Sequence, residues 1–286
     1  MFMAIKGNPK DFLQNTNFIF IEDSIVLKKN TLNLPIDNSA LPDRDFCLKI
    51  IKAQTASDWF EEEDKNYSAI VLEKDTPLPP EYYTVPLREF FWISKTIQEQ
   101  NNALPSKLGA LSARAMGLCK WRASTKYCPS CAQGLYDDPK FTARVCLKCK
   151  KQIFPRIEPA VIVLVKKEDK ILLVKHTYRN QNVFTCVAGF VEIGETLEEC
   201  VHREVKEETG LEIKNLKYCG SQGWPYPDQL MCAFYAEYKS GQIKIQEDEI
   251  AQADFFSIDN LPKTPKAGSV AYNLINNLFK NFTGTL

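Results

Sequence analysis

The chain has 286 residues, 44% of them hydrophobic and 25% charged, which excludes fibrous and disordered classes and suits about two domains. Its 36 Lys and Arg balance 36 Asp and Glu, so no global field draws it to nucleic acid or to an anionic membrane. Residues 1–14 lack the pattern of a secretory signal, no run approaches the ~18 apolar residues of a membrane span, and the final Phe-Thr-Gly-Thr-Leu carries no prenylation or peroxisomal signal, so a cytoplasmic protein is expected.

Short apolar runs bounded by turn residues predict strands at Phe18–Phe20, Ser24–Leu27, Cys47–Ala53 and Ala69–Leu72. Apolar spacing of three and four predicts helices over Pro86–Gln98 and Leu108–Arg122, punctuated by Pro79, Pro80 and Pro105. Residues 1–125 hold no catalytic constellation and read as a mixed α/β scaffold or dimerisation domain.

Residues 126–155 form a separate module, marked by Cys128-Pro-Ser-Cys131 and, fourteen residues later, Cys146-Leu-Lys-Cys149. Two thiolate pairs on two knuckles can converge into a tetrahedral S4 site, which suits one structural zinc ion because four protein ligands close its coordination sphere. A redox dithiol would instead show a single CxxC before a helix. The other six cysteines, Cys47, Cys119, Cys186, Cys200, Cys219 and Cys232, lie in apolar surroundings and read as small hydrophobes. Lys140, Arg144, Lys148, Lys150, Lys151 and Arg156 give the module a positive excess. It reads as a solvated face in preference to an RNA contact, since stacking aromatics are not interleaved with the charges.

From residue 156 the pattern predicts a third domain, running to residue 286. Val161–Val165 and Ile171–Val174, joined by Lys166–Lys170, predict a hairpin. Strands at Leu216–Gly220 and Met231–Tyr238 and helices at Thr196–Thr209 and Val270–Asn281 follow, giving an α+β sandwich. In the segment 189–211, Thr196 with Glu199 forms a capping-box pattern and Gly210 supplies a stop. Leu197, Cys200, Val201 and Val205 make the apolar stripe, while Glu204, Glu207 and Glu208 fall within an arc of roughly 100°. Carboxylates so placed repel one another unless a partner neutralises them, and hard oxygens suit Mg²⁺ or Mn²⁺. Arg203 is placed to pair with Glu195 and hold the preceding glycine loop. The bland alternative is a solvated acidic helix.

Gly189, Glu195, Arg203, Glu204, Val205, Glu207, Glu208, Gly210 and Leu211 resemble the Nudix box at every defining position. The resemblance implies a Nudix α/β/α sandwich, here preceded by the zinc ribbon and the N-terminal domain. It also implies hydrolysis of a nucleoside diphosphate by metal-activated water, with two or three Mg²⁺ or Mn²⁺ ions. Glu204, Glu208, Glu249 and the Ala188 carbonyl match its metal-ligand positions, and Glu207 matches an extra ligand or base. Ser221-Gln222-Gly223-Trp224-Pro225-Tyr226-Pro227 is similar to the SQPWPFP array of the NADH pyrophosphatase branch, with Gly replacing Pro and Tyr replacing Phe. Physically, two prolines stiffen such a loop and aromatic rings offer flat faces to a base.

That branch implies substrate contacts at Phe154, across the array, at Asp228 and Gln229 after it, and at Ala271. Phe154 departs from a tyrosine, and Phe141 from an acidic residue found in some members. The resemblance covers roughly the last 160 residues of the 286. It implies a homodimer acting on NADH or NAD⁺, with NAD-capped RNA as a second substrate presenting the same pyrophosphate. Two alternatives stay open: a Nudix enzyme for another nucleoside diphosphate such as ADP-ribose, and a zinc-ribbon RNA-binding protein with an inactive Nudix platform. His176 and His202 are expected to be structural.

Overall fold

The computed structural model describes residues 4–5, 16–29, 36–53, 56–62, 66–94, 106–178, 182–226 and 228–276, which divide into two compact units joined after Arg156. Among the described residues no helix is long and apolar enough to cross a membrane.

The first unit contains β1 (Ala4–Ile5), β2 (Thr16–Ile21), β3 (Ser24–Lys28), α1 (Arg44–Lys52), β4 (Ala56–Glu62), β5 (Tyr67–Leu72), β6 (Tyr82–Pro86), α2 (Leu87–Ile93) and α3 (Lys107–Ser124). Its six strands form one sheet in the order β1-β4-β5-β2-β3-β6. The strand expected at Cys47–Ala53 is instead the helix α1. Asp43 caps its start by accepting the Phe46 N–H at 2.9 Å, and Cys47, Ile50 and Ile51 bury one helical face against Ile19, Val26 and Ile70 of the sheet. A short apolar run fits either period, and the cap decides. The helix expected over Pro86–Gln98 closes at Ile93, where the Ser94 N–H bonds back to Phe90; residues 95–98 lie outside the described residues.

The zinc module packs into this same unit as a three-stranded sheet of β7 (Leu135–Asp137), β8 (Arg144–Cys146) and β9 (Gln152–Ile153). Two buried charges tie it to the N-terminal sheet. On α3, Arg122 is 4% exposed and bonds Asp58 of β4 at 2.6 Å and Asp137 of β7 at 2.7 Å. Glu62, fully buried on β4, accepts from Tyr67 and from Arg114 Nε at 2.6 Å, and from Thr142 of the module at 3.3 Å.

The second unit is an α/β/α sandwich, the arrangement expected for the C-terminal part. Its elements are β10 (Glu158–Lys167), β11 (Lys170–His176), β12 (Val187–Phe190), α4 (Leu197–Thr209), β13 (Glu212–Pro225), β14 (Asp228–Ser240), β15 (Ile250–Ser257) and α5 (Val270–Ile275). The sheet runs β13-β14-β10-β11-β15, and β12 also pairs with β10. Alternation along β10 supplies both cores. Ala160, Ile162 and Leu164 pack with Val270, Ala271 and Leu274 of α5, whereas Val161, Val163 and Val165 pack with Cys200, Val201 and Val205 of α4. Central strands covered on both faces read as continuous apolar runs for this reason.

The hairpin of β10 and β11 holds together only near its turn, at Lys166↔Ile171 and Lys167↔Lys170. Beyond that point the chain from Thr185, bridged to Val174, passes to β10 and pairs Val187–Phe190 with Ala160–Val163. That inserted strand delivers Gly189 to the sheet face beneath α4.

Removing Arg122 takes away the guanidinium that bridges Asp58 and Asp137 and leaves Asp137 only the longer ion pair with Arg144, at 3.5 Å. Arg122→Met is expected to lower stability by about 3 kcal/mol, the scale of a broken buried ion pair, measured by urea unfolding. An unchanged midpoint overturns the role assigned to this residue.

Candidate functional site

The four module cysteines meet as their spacing predicts. Their sulfurs lie within 4.8 Å of one another, with Cys128–Cys149 at 3.6 Å, Cys131–Cys146 at 3.4 Å and Cys131–Cys149 at 3.8 Å. A tetrahedron with Zn–S near 2.3 Å requires sulfurs about 3.8 Å apart, so the set fits zinc with little adjustment.

The two knuckles repeat one backbone design. Ala132 N–H donates to Cys128 O at 2.9 Å and Lys150 N–H to Cys146 O at 2.8 Å, and Ala132 and Lys150 both take positive φ, at 58° and 59°. The fold thereby aims backbone N–H groups at the thiols. Ser130 N–H pulls the Cys128 thiol below its ordinary range, and Cys149 N–H does the same for Cys146. Thiolate, the form that binds metal, is favoured in both. The remaining six cysteines are buried. Burial pushes Cys47, Cys186 and Cys200 up to about 12 and Cys219 to about 11, leaving them protonated and inert.

The acidic site is built around α4. Thr196 and Glu199 form the reciprocal capping box, and Gly210 ends the helix at φ 73°. The three helical acids share an arc but not an environment: Glu204 and Glu208 are buried and Glu207 is exposed. A Cβ added to Gly189 would stand 1.9 Å from the Glu204 carboxyl carbon, so the carboxylate rests on bare backbone that only glycine provides.

Arg203 pairs with Glu195 through two bonds, at 2.8 and 2.9 Å. It also reaches Glu204 at 2.8 Å, Glu207 at 3.0 Å and the Phe190 carbonyl at 2.9 Å. This guanidinium lashes the loop after β12 to the helix, and it holds the Glu195 carboxyl down at about 2. Burial pushes Glu204 the other way, above the usual carboxylate range; Arg203 offsets part of this, and the charges of Glu207 and Glu249 add to it.

Glu249 comes from the far end of the chain, just before β15. Its position is fixed by Thr177, whose N–H donates to Glu249 O at 2.8 Å and whose Oγ1 donates to Asp248 O at 2.9 Å, and by Gln246 Nε2 at 3.4 Å from its carboxylate. The sequence reading missed Thr177 and Gln246, because an acid's anchors in another segment leave no local pattern. Glu195, Glu204 and Glu207 thus gather about one guanidinium, the charge of Glu249 acts on Glu204, and Glu208 lies on the same helix one residue beyond Glu207. Two of them are buried. Such a donor set fits hard divalent cations.

Ala188 precedes Gly189 on β12 and pairs with Ile162. The array expected to be a loop proves to be the end of a strand: Gln222 to Pro225 pair with Met231 to Asp228 in an antiparallel hairpin. Pro227 lies outside the described residues. A side chain at Gly223 would meet nothing within 4 Å, so the departure from proline leaves open space and no strain. Trp224 packs against the α5-side core and edge-on to Tyr226, with ring centroids 5.5 Å apart. Asp228 opens β14, opposite Pro225, and Gln229 stands opposite Trp224.

Gln222 is buried and donates through Nε2 to Gly268 O at 3.0 Å, while its Oε1 has no hydrogen-bond partner among the described residues. Ala271 is buried in the same core. The array and Ala271 therefore gather on the α5 face, and the helical acids on the α4 face. Phe154 stands in the first unit, exposed, with its ring 6.3 Å from that of Phe141. His176 is buried with its ring 5.0 Å from that of Tyr178, and His202 is exposed on α4.

The NUDIX domain profile matches residues 156–278 of this chain. The NAD-capped RNA hydrolase NudC of Escherichia fergusonii is 44% identical over 172 residues, 60% of this chain and 67% of that protein. The NudC of Escherichia coli strain SMS-3-5 is 44% identical over 165 residues, covering 58% of this chain and 64% of that protein. A Nudix hydrolase structure from Nitrosomonas europaea overlays with a TM-score of 0.42 at 21% identity, covering 48% of this chain and 80% of that one. The alignments thus span about two thirds of the length of the curated relatives. The chain belongs to the Nudix hydrolase family.

Cys146→Ser, or exhaustive chelation, is expected to release metal from the four-cysteine cluster and to lower the melting temperature, since a structural site contributes its binding energy to folding. Metal content by elemental analysis and calorimetry test this; full stability without metal would refute a structural role.

Proposed function

We propose that this protein is a metal-dependent pyrophosphohydrolase that splits NADH and NAD⁺ into NMN(H) and AMP and removes the NAD cap from RNA 5′ ends. The observation that carries the reading is the acid cluster seated on Gly189 and clamped by Arg203. Its support on the substrate side is the Gln222–Tyr226 array, together with 44% identity to proteins named NAD-capped RNA hydrolase NudC. The same reading includes three domains (a scaffold over 1–125, the zinc ribbon over 126–155 and the catalytic domain over 156–286), a homodimer, and action in the cytoplasm.

In this mechanism Glu204, Glu208, Glu249 and the Ala188 carbonyl would hold two or three Mg²⁺ or Mn²⁺ ions. Divalent metal there supplies Lewis acidity to the phosphate oxygens and lowers the pKa of the attacking water. Glu207, exposed and 3.0 Å from Arg203, accepts the water proton or adds a ligand. A new bond forms between water oxygen and phosphorus while the bridging P–O bond breaks. One phosphate leaves as NMN(H) and the other as AMP, with no covalent enzyme intermediate. Arg203 and Glu195 fix the loop that carries Gly189 and hence the position of Glu204. Trp224 would offer a flat face for a base, Gln222 keeps its Oε1 acceptor spare while its Nε2 donates to Gly268 O, and Tyr226, Asp228, Gln229, Ala271 and Phe154 are further substrate contacts that the family resemblance implies. In the ribbon, Cys128, Cys131, Cys146 and Cys149 hold one structural zinc ion.

Turnover of NADH, NAD-capped RNA and ADP-ribose in Mg²⁺ or Mn²⁺ tests the assignment. NADH and the cap should be cleaved in preference to ADP-ribose. Glu204→Gln should lower kcat about 100-fold or more, the scale of losing a group that acts in the transition state. Gly189→Ala, which pushes the Glu204 carboxylate from its seat, should lower kcat and divalent-metal affinity together, whereas Trp224→Ala should shift KM and substrate preference. Wild-type protein inert on all three substrates, yet folded and RNA-binding, would replace the enzyme with a binding module.

A further inference from the structure

The zinc module carries an exposed face that the pyrophosphate chemistry does not use. Tyr127 and Gly134 form an antiparallel bridge, flanked by Cys128 N–H to Gln133 O at 2.8 Å and Leu135 N–H to Lys126 O at 2.9 Å. The two residues are therefore directly opposed, and their side-chain directions share one face. Alternation along the strand brings Tyr136 to that face as well, and its register partners, Val145 on β8 and then Gln152 on β9, extend it across the ribbon. Leu135, Cys146 and Ile153 point the other way, into the module's core.

Tyr127 is 69% exposed and Tyr136 58%, and a Cβ on Gly134 between them would meet nothing within 4 Å. Two rings thus flank a strip of open backbone. Strand geometry sets Gly134 and Tyr136 roughly 7 Å apart along the chain. The sequence reading counted aromatics among the charges along the chain and found none interleaved; pairing in the fold sets them side by side.

Charge is distributed to match. Residues 126–156 carry seven Lys and Arg against two Asp, a net of +5, while the rest of the chain carries 29 against 34, or −5. Four thiolates on one zinc ion contribute −2 and leave the module at +3. Both aspartates are already engaged: Asp137 by Arg122, and Asp138 by Gln152 Nε2 at 2.7 Å and the N–H groups of Lys140 and Phe141. Arg144 is also spent, donating to the Arg122 and Thr125 carbonyls at 3.2 and 2.7 Å. Lys148 and Lys150 on the second knuckle remain exposed, as does Lys126, which lies opposite Leu135 and so on the other side of the strand pair.

We infer that the zinc module binds single-stranded RNA, with Tyr127 and Tyr136 stacking on bases and Lys148 and Lys150 on the second knuckle neutralising phosphates. A cationic surface bearing exposed aromatic rings is what sequence-tolerant single-strand binding requires. The inference rests on the reading of the chain as an NAD-cap hydrolase.

The test uses full-length, zinc-loaded protein and a short unstructured RNA bearing a 5′ NAD, titrated by fluorescence anisotropy without divalent catalytic metal. Tyr127→Ser with Tyr136→Ser should weaken RNA binding about fivefold or more. Lys148→Ala with Lys150→Asn, the asparagine chosen because position 150 has φ 59°, should flatten the slope of log affinity against log salt by about 1.4. Both double variants should keep their zinc and their NADH kcat/KM, while kcat/KM on capped RNA falls through KM. Unchanged RNA affinity in both overturns the proposal, as does a parallel loss of NADH turnover, which would reduce the module to a structural prop. Wild-type protein that hydrolyses neither substrate sinks the enzymatic reading instead, and the RNA face then stands or falls on the anisotropy alone.

Discussion

Burying carboxylates beside one another is costly, and the second unit is arranged around meeting that cost. Glu204 lies against the bare backbone of Gly189, and Arg203 spans Glu195, Glu204, Glu207 and the Phe190 carbonyl. One cation cannot compensate the three acids it touches. A buried charge left uncompensated is worth several kcal/mol of destabilisation, and in the proposed function a divalent metal ion would supply the missing positive charge. The splayed hairpin of β10 and β11 follows from the same requirement, because β12 must enter between them to place Gly189 under α4.

Much of this was legible because its signals are local. A capping box, an αL glycine and acids at helical spacing announce α4 within a dozen or so residues, and paired CxxC motifs announce the ribbon. The misses have equally specific causes. Cys47–Ala53 reads as a strand until the Asp43 cap is weighed, and the array after Ser221 reads as a loop because its prolines mask a strand pairing made with Asp228 to Met231. Thr177 anchors Glu249 across more than 70 residues, and no pattern within a window can show it. Equal exposure cannot be assumed for residues sharing a helical arc either: Glu208 faces the packed side and Glu207 the solvent.

The two constellations proposed to bind metal differ in kind. The cysteine cluster is soft and supplies four ligands of its own, and its backbone N–H groups favour thiolate before metal arrives. It belongs to one cooperative unit with the N-terminal sheet through Arg122 and Glu62. The acid cluster is hard, and its members come from a loop, a helix and a distant turn, so it suits ions that retain positions for substrate oxygens and water. A closed site stabilises; an open one reacts.

Chemistry at the acid cluster cannot by itself distinguish a free dinucleotide from the same dinucleotide at the end of an RNA, because the pyrophosphate is identical in both. Preference between them must come from groups that touch what differs, namely the polymer. Interactions with a remote part of a substrate act on KM when they are equal in ground and transition states, and on kcat only when they tighten as the reaction proceeds. The ribbon's tyrosines and lysines are proposed to hold the polymer, which is unchanged by hydrolysis, so their effect is expected in KM for RNA and not in the turnover of NADH.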